Sequence, residues 1–409
     1  MNALTDLPVR DVLSGVRQPL SVAVVTETYP PEVNGVAVTL QCMLEGLSSR
    51  AHHIQLVRLR QHAGDVPLRS ARFHEVLLRG VPIPRYASLR MGVPCAATLQ
   101  RLWTEQRPDV VHIATEGPLG WSALRAAHRL QLPVVSDFRT NFHAYSQHYG
   151  LGWLRRGIVG YLRGFHNRTA CTMVPTHAMR RQLEALGFAN LEVVSRGVDV
   201  TRFDPAHRSS SRRTSWSAGD DTLVALCVSR LAHEKNIELV CRAFEAIRAS
   251  GIDARLVFVG DGPLREQLQS RCPDAVFAGV RRGHDLAAHY ASADLFLFPS
   301  LTETFGNVVP EAMASGLPVV AFDCAAAAQL VTPDSGALAP PPDAAAFVEH
   351  ALRIAQDRRA LRARGQQARG RAALLDWRHV IDDLEAVLLH AVLRHAANQS
   401  PLLLHPSAT

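Results

Sequence analysis

The chain has 409 residues, nearly half of them apolar and one fifth charged, a globular composition that excludes a disordered or low-complexity protein. Its length allows two or three domains, and it has no run of eighteen uncharged apolar residues. Its first twenty residues carry Asp6, Arg10, Asp11 and Arg17, so neither a membrane span nor a secretion signal is expected. A formal charge of +7 and a pI near 9.3 favour anionic partners.

Two residue types sharpen this. Seven cysteines stand singly with no paired spacing, as expected of buried free thiols in a reducing cytosol. Every strong cation except Lys235 is arginine. A bias toward G and C would replace lysine wherever arginine serves equally well, so the remaining one suggests a site that needs a compact ammonium.

In chain order, residues 20–26 (LSVAVVT) read as a buried first strand feeding a loop in which Pro30, Pro31, Asn34 and Gly35 delay a helix until Val36. Residues 54–59 are a second strand, and the proline- and arginine-rich stretch 61–96 reads as loops and short strands. Residues 109–114 are a strand ending in TEGPLG, whose Gly117 and Gly120 open a helix. The strand 132–136 delivers DFRTNFHAYSQHYG. Residues 153–168 place Arg155, Arg156, Arg163 and Arg168 beside Trp153, Ile158, Tyr161 and Phe165. That mixture suits a helix lying on an anionic membrane, or a domain helix with arginines at its rim. Residues 171–175 and 191–195 are strands, RGVDVTRFDP closes the first domain at 205, and the Ser/Arg/Gly/Asp composition of 207–221 reads as a linker.

The second half opens with the strand 223–229, followed at once by RLAHEKN and a helix over 237–248. Arg230 and Lys235 bracket that helix start, so both cations are placed for one anionic group. Strands over 255–259 and 276–279 follow, the first ending in GDGP. Residues 295–322 then read LFLFPSLTETFGNVVPEAMASGLPVVAF: two buried strands around a short helix that starts near 304–307 and stops at Gly316. Free N–H groups at that helix start suit a phosphate, with Glu303 on one side and Glu311 on the other. Acceptor-only carboxylates suit sugar diols. Helices over 344–355, 358–375 and 376–396 complete the chain.

The string ETFGNVVPE followed by AMASGLPVV resembles the paired-glutamate motif of retaining glycosyltransferases of family 4. The resemblance implies an α/β, GT-B fold: two doubly wound Rossmann-like domains facing across a cleft. An acceptor-side domain would span 1–205, with 376–396 packing back on it, and a nucleotide-sugar domain would span 206–375. It implies that Arg230 and Lys235 are the phosphate-binding pair and that Glu303 holds the hexose. Glu311 would hold the ribose, and Val280 would hold the base through backbone groups. Gly35 is implied to face the donor phosphates, with Asn34 where relatives have a second glycine, alongside Phe305, Gly306, Asn307 and Val308. Many relatives carry histidine where Arg139 stands. Arginine cannot act as a base, and His143, one helical turn on, is the acceptor-side alternative.

The expected reaction is transfer of a mannose- or glucose-type hexose from a nucleotide diphosphate sugar to a hydroxyl of a lipid or glycan, with retention. GDP-mannose or a UDP-hexose is the expected donor. No Asp-x-Asp strand end is present, so no metal or other cofactor is expected. The expected location is cytoplasmic, at the inner membrane face. A sugar-nucleotide epimerase or phosphorylase shares the architecture. A nicotinamide dehydrogenase is disfavoured by the lack of G-x-G-x-x-G after 20–26, and charge alone suggests a nucleic-acid binder, though no nucleic-acid partner is expected.

Overall fold

The computed structural model describes residues 19–32, 35–83, 86–139 and 152–399. These residues divide into two compact units, one within 19–139, 152–195 and 377–399, the other over 196–376.

The first unit is built on β1 (Ser21–Thr26), β2 (His53–Leu59), β3 (Phe73–Leu78), β6 (Val110–Ile113), β7 (Val134–Asp137), β8 (Cys171–Val174) and β9 (Leu191–Val193). They form one parallel sheet in the order β3-β2-β1-β6-β7-β8-β9. A hairpin of β4 (Gly80–Ile83) and β5 (Tyr86–Gly92) stands beside it. The helices are α1 (Gly35–Ser49), α2 (Ala96–Glu105), α3 (Pro118–Arg129), α4 (Gly152–His166) and α5 (His177–Ala185). Helices cover both faces of a parallel sheet, which is why its strands read as unbroken apolar runs. Val22 and Val24 enter one core cluster and Ala23 and Val25 the other.

The second unit repeats the plan. Its strands are β10 (Leu223–Val228), β11 (Ala254–Val259), β12 (Val276–Gly279), β13 (Leu295–Phe298), β14 (Val319–Phe322) and β15 (Gly336–Ala339), in the order β12-β11-β10-β13-β14-β15. Its helices are α6 (Ser210–Ser215), α7 (Ile237–Ala249), α8 (Arg265–Arg271), α9 (Gly283–Ser292), α10 (Val308–Ala314), α11 (Ala325–Leu330), α12 (Ala344–Gln356) and α13 (Arg358–Ala373). The last helix, α14 (Trp377–Gln399), packs in the first unit against α1. A Cβ on Gly46 would lie 2.5 Å from Cγ1 of Ile381, so glycine lets the two helices meet there. Arg50 donates to Asp382, Glu385 and the Arg378 carbonyl.

Three expectations change. The stretch 207–221 is no linker: Ser209 caps α6, Trp216 is buried, and buried Arg213 donates to the Ser292, Gly219 and Thr222 carbonyls and to Asp294. The units divide after Ser195 rather than after 205, because RGVDVTRFDP packs within the second unit. There the Val198 amide donates to the Leu375 carbonyl, Phe203 meets Tyr290 edge-on, and Asp204 pairs with Arg369 at 2.5 Å. All seven cysteines are free thiols, but Cys42, Cys95 and Cys324 are only partly buried.

Candidate active site

In an open parallel sheet the ligand crevice lies beyond the carboxyl ends of the strands, where the strand order reverses. In the second unit that point falls between β10 and β13, neighbours in the sheet with crossovers in opposite directions. The loops leaving these two strands carry most of the expected donor residues.

After β10 the chain runs through Ser229 and Arg230 to a tight turn, His233–Lys235, and then Asn236 in the left-handed region (φ 54°) starts α7. GDGP fixes this loop. Gly260 has φ 134°, and a Cβ on it would lie 1.9 Å from the Ser229 carbonyl oxygen; on Gly262 it would lie 2.4 Å from that of Leu231. Backbone thus packs on backbone, closed by Leu231 N–H to the Asp261 carbonyl at 3.0 Å and Leu264 N–H to the Leu231 carbonyl at 2.9 Å.

After β13 the loop folds onto that turn. Lys235 Nζ donates to Oε1 of Glu303 at 2.5 Å, Ser300 donates to the same oxygen at 2.9 Å, and Thr302 donates to the Glu234 carbonyl at 3.0 Å. Gly306, with φ 90°, closes the loop; a Cβ there would stand 3.3 Å from Cγ of Glu303. Lys235, Glu303 and Gly306 therefore meet around one glutamate side chain. Among the described residues the amides of Gly306 and Asn307 donate to no protein group, and the buried Oδ1 of Asn307 has no partner. Phe305 is buried under the Arg196 guanidinium, 5.8 Å from the ring centre, and Val308 begins α10.

Glu311, one turn into α10, accepts from the hydroxyl of buried Tyr290 at 3.0 Å. Burial pushes its carboxyl up to about 7, against the Tyr290 hydrogen bond and the Arg202 charge, which pull it down.

Other expected residues stand apart. Arg230 is 64% exposed and forms its ion pair with Glu234, not with the group that Lys235 holds. Val280 is exposed just past β12. Gly35 is the first residue of α1 in the first unit, one residue ahead of the expected helix start. Arg139, in the same unit, is turned inward: its Nε and Nη2 donate to Oδ2 of Asp137 at 3.1 and 2.6 Å. That carboxyl also meets fully buried His112 at 2.8 Å. Burial would raise Asp137, yet Arg139 and His112 hold it well below the usual range. His143 lies outside the described residues.

Sequence reasoning passed over Ser300, Thr302, Tyr290 and the glycines of GDGP. Ser300 had a readable signal, a hydroxyl two residues past a buried strand. Tyr290 had none, since its partner is 21 residues away on another helix.

The chain matches two family models: Glycosyltransferase Family 4 over residues 33–202 and Glycosyl transferases group 1 over residues 222–357. It is 36% identical to the GDP-mannose-dependent alpha-mannosyltransferase of Mycobacterium tuberculosis, over 91% of this chain and 96% of that one. It is 27% identical to the alpha-monoglucosyldiacylglycerol synthase of Streptococcus pneumoniae, over 74% of this chain and 71% of that one. Among solved structures it is similar to sucrose-phosphate synthase from Thermosynechococcus elongatus, with a TM-score of 0.73 at 19% identity, covering 94% and 100% of the two chains.

Proposed function

The chain belongs to glycosyltransferase family 4, and on that premise we propose that it moves mannose from GDP-mannose, with retention at the anomeric carbon, to a hydroxyl of a membrane lipid or lipid-linked glycan. It is a glycosyltransferase of GT-B fold, with two parallel-sheet Rossmann-like domains. The donor reading rests on the 36% identical GDP-mannose-dependent mannosyltransferase, and the lipid acceptor on the similar alpha-monoglucosyldiacylglycerol synthase.

The observation that carries the chemistry is the convergence of Lys235, Glu303 and Gly306 at the β10/β13 reversal. A diphosphate entering there competes with Glu303 for the Lys235 ammonium. Its arrival frees the carboxylate to accept from hexose hydroxyls. Charge grows on the departing phosphate as the sugar leaves, and Lys235 and the amides of Gly306, Asn307 and Val308 stabilise it, joined by Arg230 once it exchanges Glu234 for the phosphate. These cations fill the role a metal would otherwise take, so transfer should persist in EDTA. Glu311 holds the ribose, Val280 the base through its backbone, and Gly35 the phosphates from the first unit; Phe305 backs the Gly306 turn. On the acceptor side Arg139, its guanidinium committed to Asp137, shapes rather than deprotonates, and His143 is the candidate contact.

We assign the protein a peripheral seat on the cytoplasmic membrane face, through the helix within 153–168. Arg156, Tyr161 and Arg163 of α4 are exposed. Among the described residues no helix is long and apolar enough to cross a membrane.

The test is thermal melting with GDP, UDP and ADP, followed by product analysis with GDP-mannose and a polyprenol or diacylglycerol acceptor. GDP at ~100 times its dissociation constant should add about 2.7 kcal/mol, with smaller effects from the others. No shift with any nucleotide would defeat the donor assignment.

A further inference from the structure

The first unit has its own strand-order reversal, between β1 and β6, and α3 begins there. A helix N-terminus offers free N–H groups to an anion, and this one is filled by a side chain of the protein's own. Oε1 of Glu27, the residue after β1, accepts from the Leu119 amide at 2.9 Å and from the Gly92 amide at 3.1 Å. Leu119 lies in the first turn of α3, and Gly92 ends β5. The Glu27 amide in turn donates to Oγ1 of Thr115 at 2.9 Å, in the loop leaving β6.

The cradle is shaped to that carboxylate. A Cβ on Gly117 would lie 2.1 Å from Oε2 of Glu27, and one on Gly92 would lie 2.8 Å from Oε1. Two glycines 25 positions apart in the chain thus leave room for one carboxyl group. Burial raises the Glu27 pKa, and the two amide hydrogen bonds lower it.

We propose that Glu27 is a positioning residue: an internal anion that occupies the N-terminus of α3 and so anchors the start of the β1–α1 loop. That loop leads to Gly35, so Glu27 acts on transfer through the placement of Gly35 without touching the donor. The same occupancy closes the N-terminus of α3 to any ligand phosphate. Only the activity arm of the test rests on the proposed function.

The test replaces Glu27 with Ala and adds back a small carboxylate. Glu27→Ala should melt lower by roughly 2–4 °C or more and lose at least about tenfold in kcat/KM. Sodium formate or acetate should restore part of both, with no such gain in the wild-type protein and none from chloride at equal ionic strength. If formate and acetate raise the melting temperature of Glu27→Ala no more than chloride does, the proposal is wrong. That readout needs no substrate, so it decides the matter even if GDP-mannose proves not to be the donor. Should Glu27→Ala not fold, Glu27→Gln decides: it fills the cradle without charge, and wild-type kcat/KM in that variant overturns the proposal.

Discussion

Lys235 shows how one side chain sets what its neighbours can do. Its ammonium and the Ser300 hydroxyl share one oxygen of Glu303, so removing Lys235 disturbs both the anion site and the acid beside it. Lys235→Ala is expected to lower kcat/KM about 10²- to 10³-fold. Combined with Glu303→Ala the losses should fall well short of additive in a double-mutant cycle of transfer rates. Glu311 gives a second outcome at this scale. Burial raises its carboxyl to about 7, and in the proposed ribose-holding role it would accept from both hydroxyls only when ionised, so KM for the donor should fall as pH rises through about 7. Tyr290→Phe removes a hydrogen bond that lowers this pKa and should move the midpoint upward. The stability effect has the opposite sense. The folded value lies above the ordinary 4.5, so the native state keeps an extra proton between the two, and that contribution is lost as pH rises through about 7. Glu311→Gln should therefore raise melting stability at about pH 8 by about 1–3 kcal/mol while weakening donor binding. Glu303, Gly306 and Lys235 were legible in the sequence because each sits a fixed few residues past a buried strand. Tyr290 and Glu27 were not: Glu27 takes its hydrogen bonds from residues 65 and 92 positions away.

Helices and strands were read more securely than the turns that join them. β13 falls where its apolar run predicted, since a strand buried on both faces must be apolar throughout. The stretch 207–221 misled because Ser, Arg and Gly dominate it, yet one arginine, Arg213, is buried against three carbonyls and Asp294 and turns the segment into a fixed wall. GDGP was read as an ordinary turn, because nothing local reveals that its glycines lie against the Ser229 and Leu231 carbonyls. Gly260→Ala tests that role. With φ 134° and a Cβ 1.9 Å from a carbonyl oxygen, the substitution should cost on the order of 2–4 kcal/mol in a urea melt. It should also lower kcat/KM beyond the loss of folded protein, because Arg230 rides on the displaced loop.

For the whole molecule, a charge of +7 pointed to anionic partners without choosing among them; the site chemistry, not the charge, separates a nucleotide sugar from a nucleic acid. Membrane contact can be checked directly. Vesicles containing anionic lipid should retain the protein at low salt and release it as salt rises, and Arg156→Ala or Arg163→Ala should each weaken partitioning by about 1 kcal/mol, roughly fivefold, in a sedimentation assay. The alternation of strands and helices made two Rossmann-like domains readable, whereas their seam was not, because Val198, Phe203 and Asp204 find partners only once the second sheet exists. The staple of α14 onto α1 has a bearing on biosynthesis. Residues 196–376 form a nearly unbroken stretch able to close its core as it leaves the ribosome, but the half translated earlier must wait, one apolar flank uncovered, until Ile381, Leu384 and Leu388 emerge. Nascent chains arrested before Trp377 should accordingly expose protease-sensitive sites in the amino-terminal half alone.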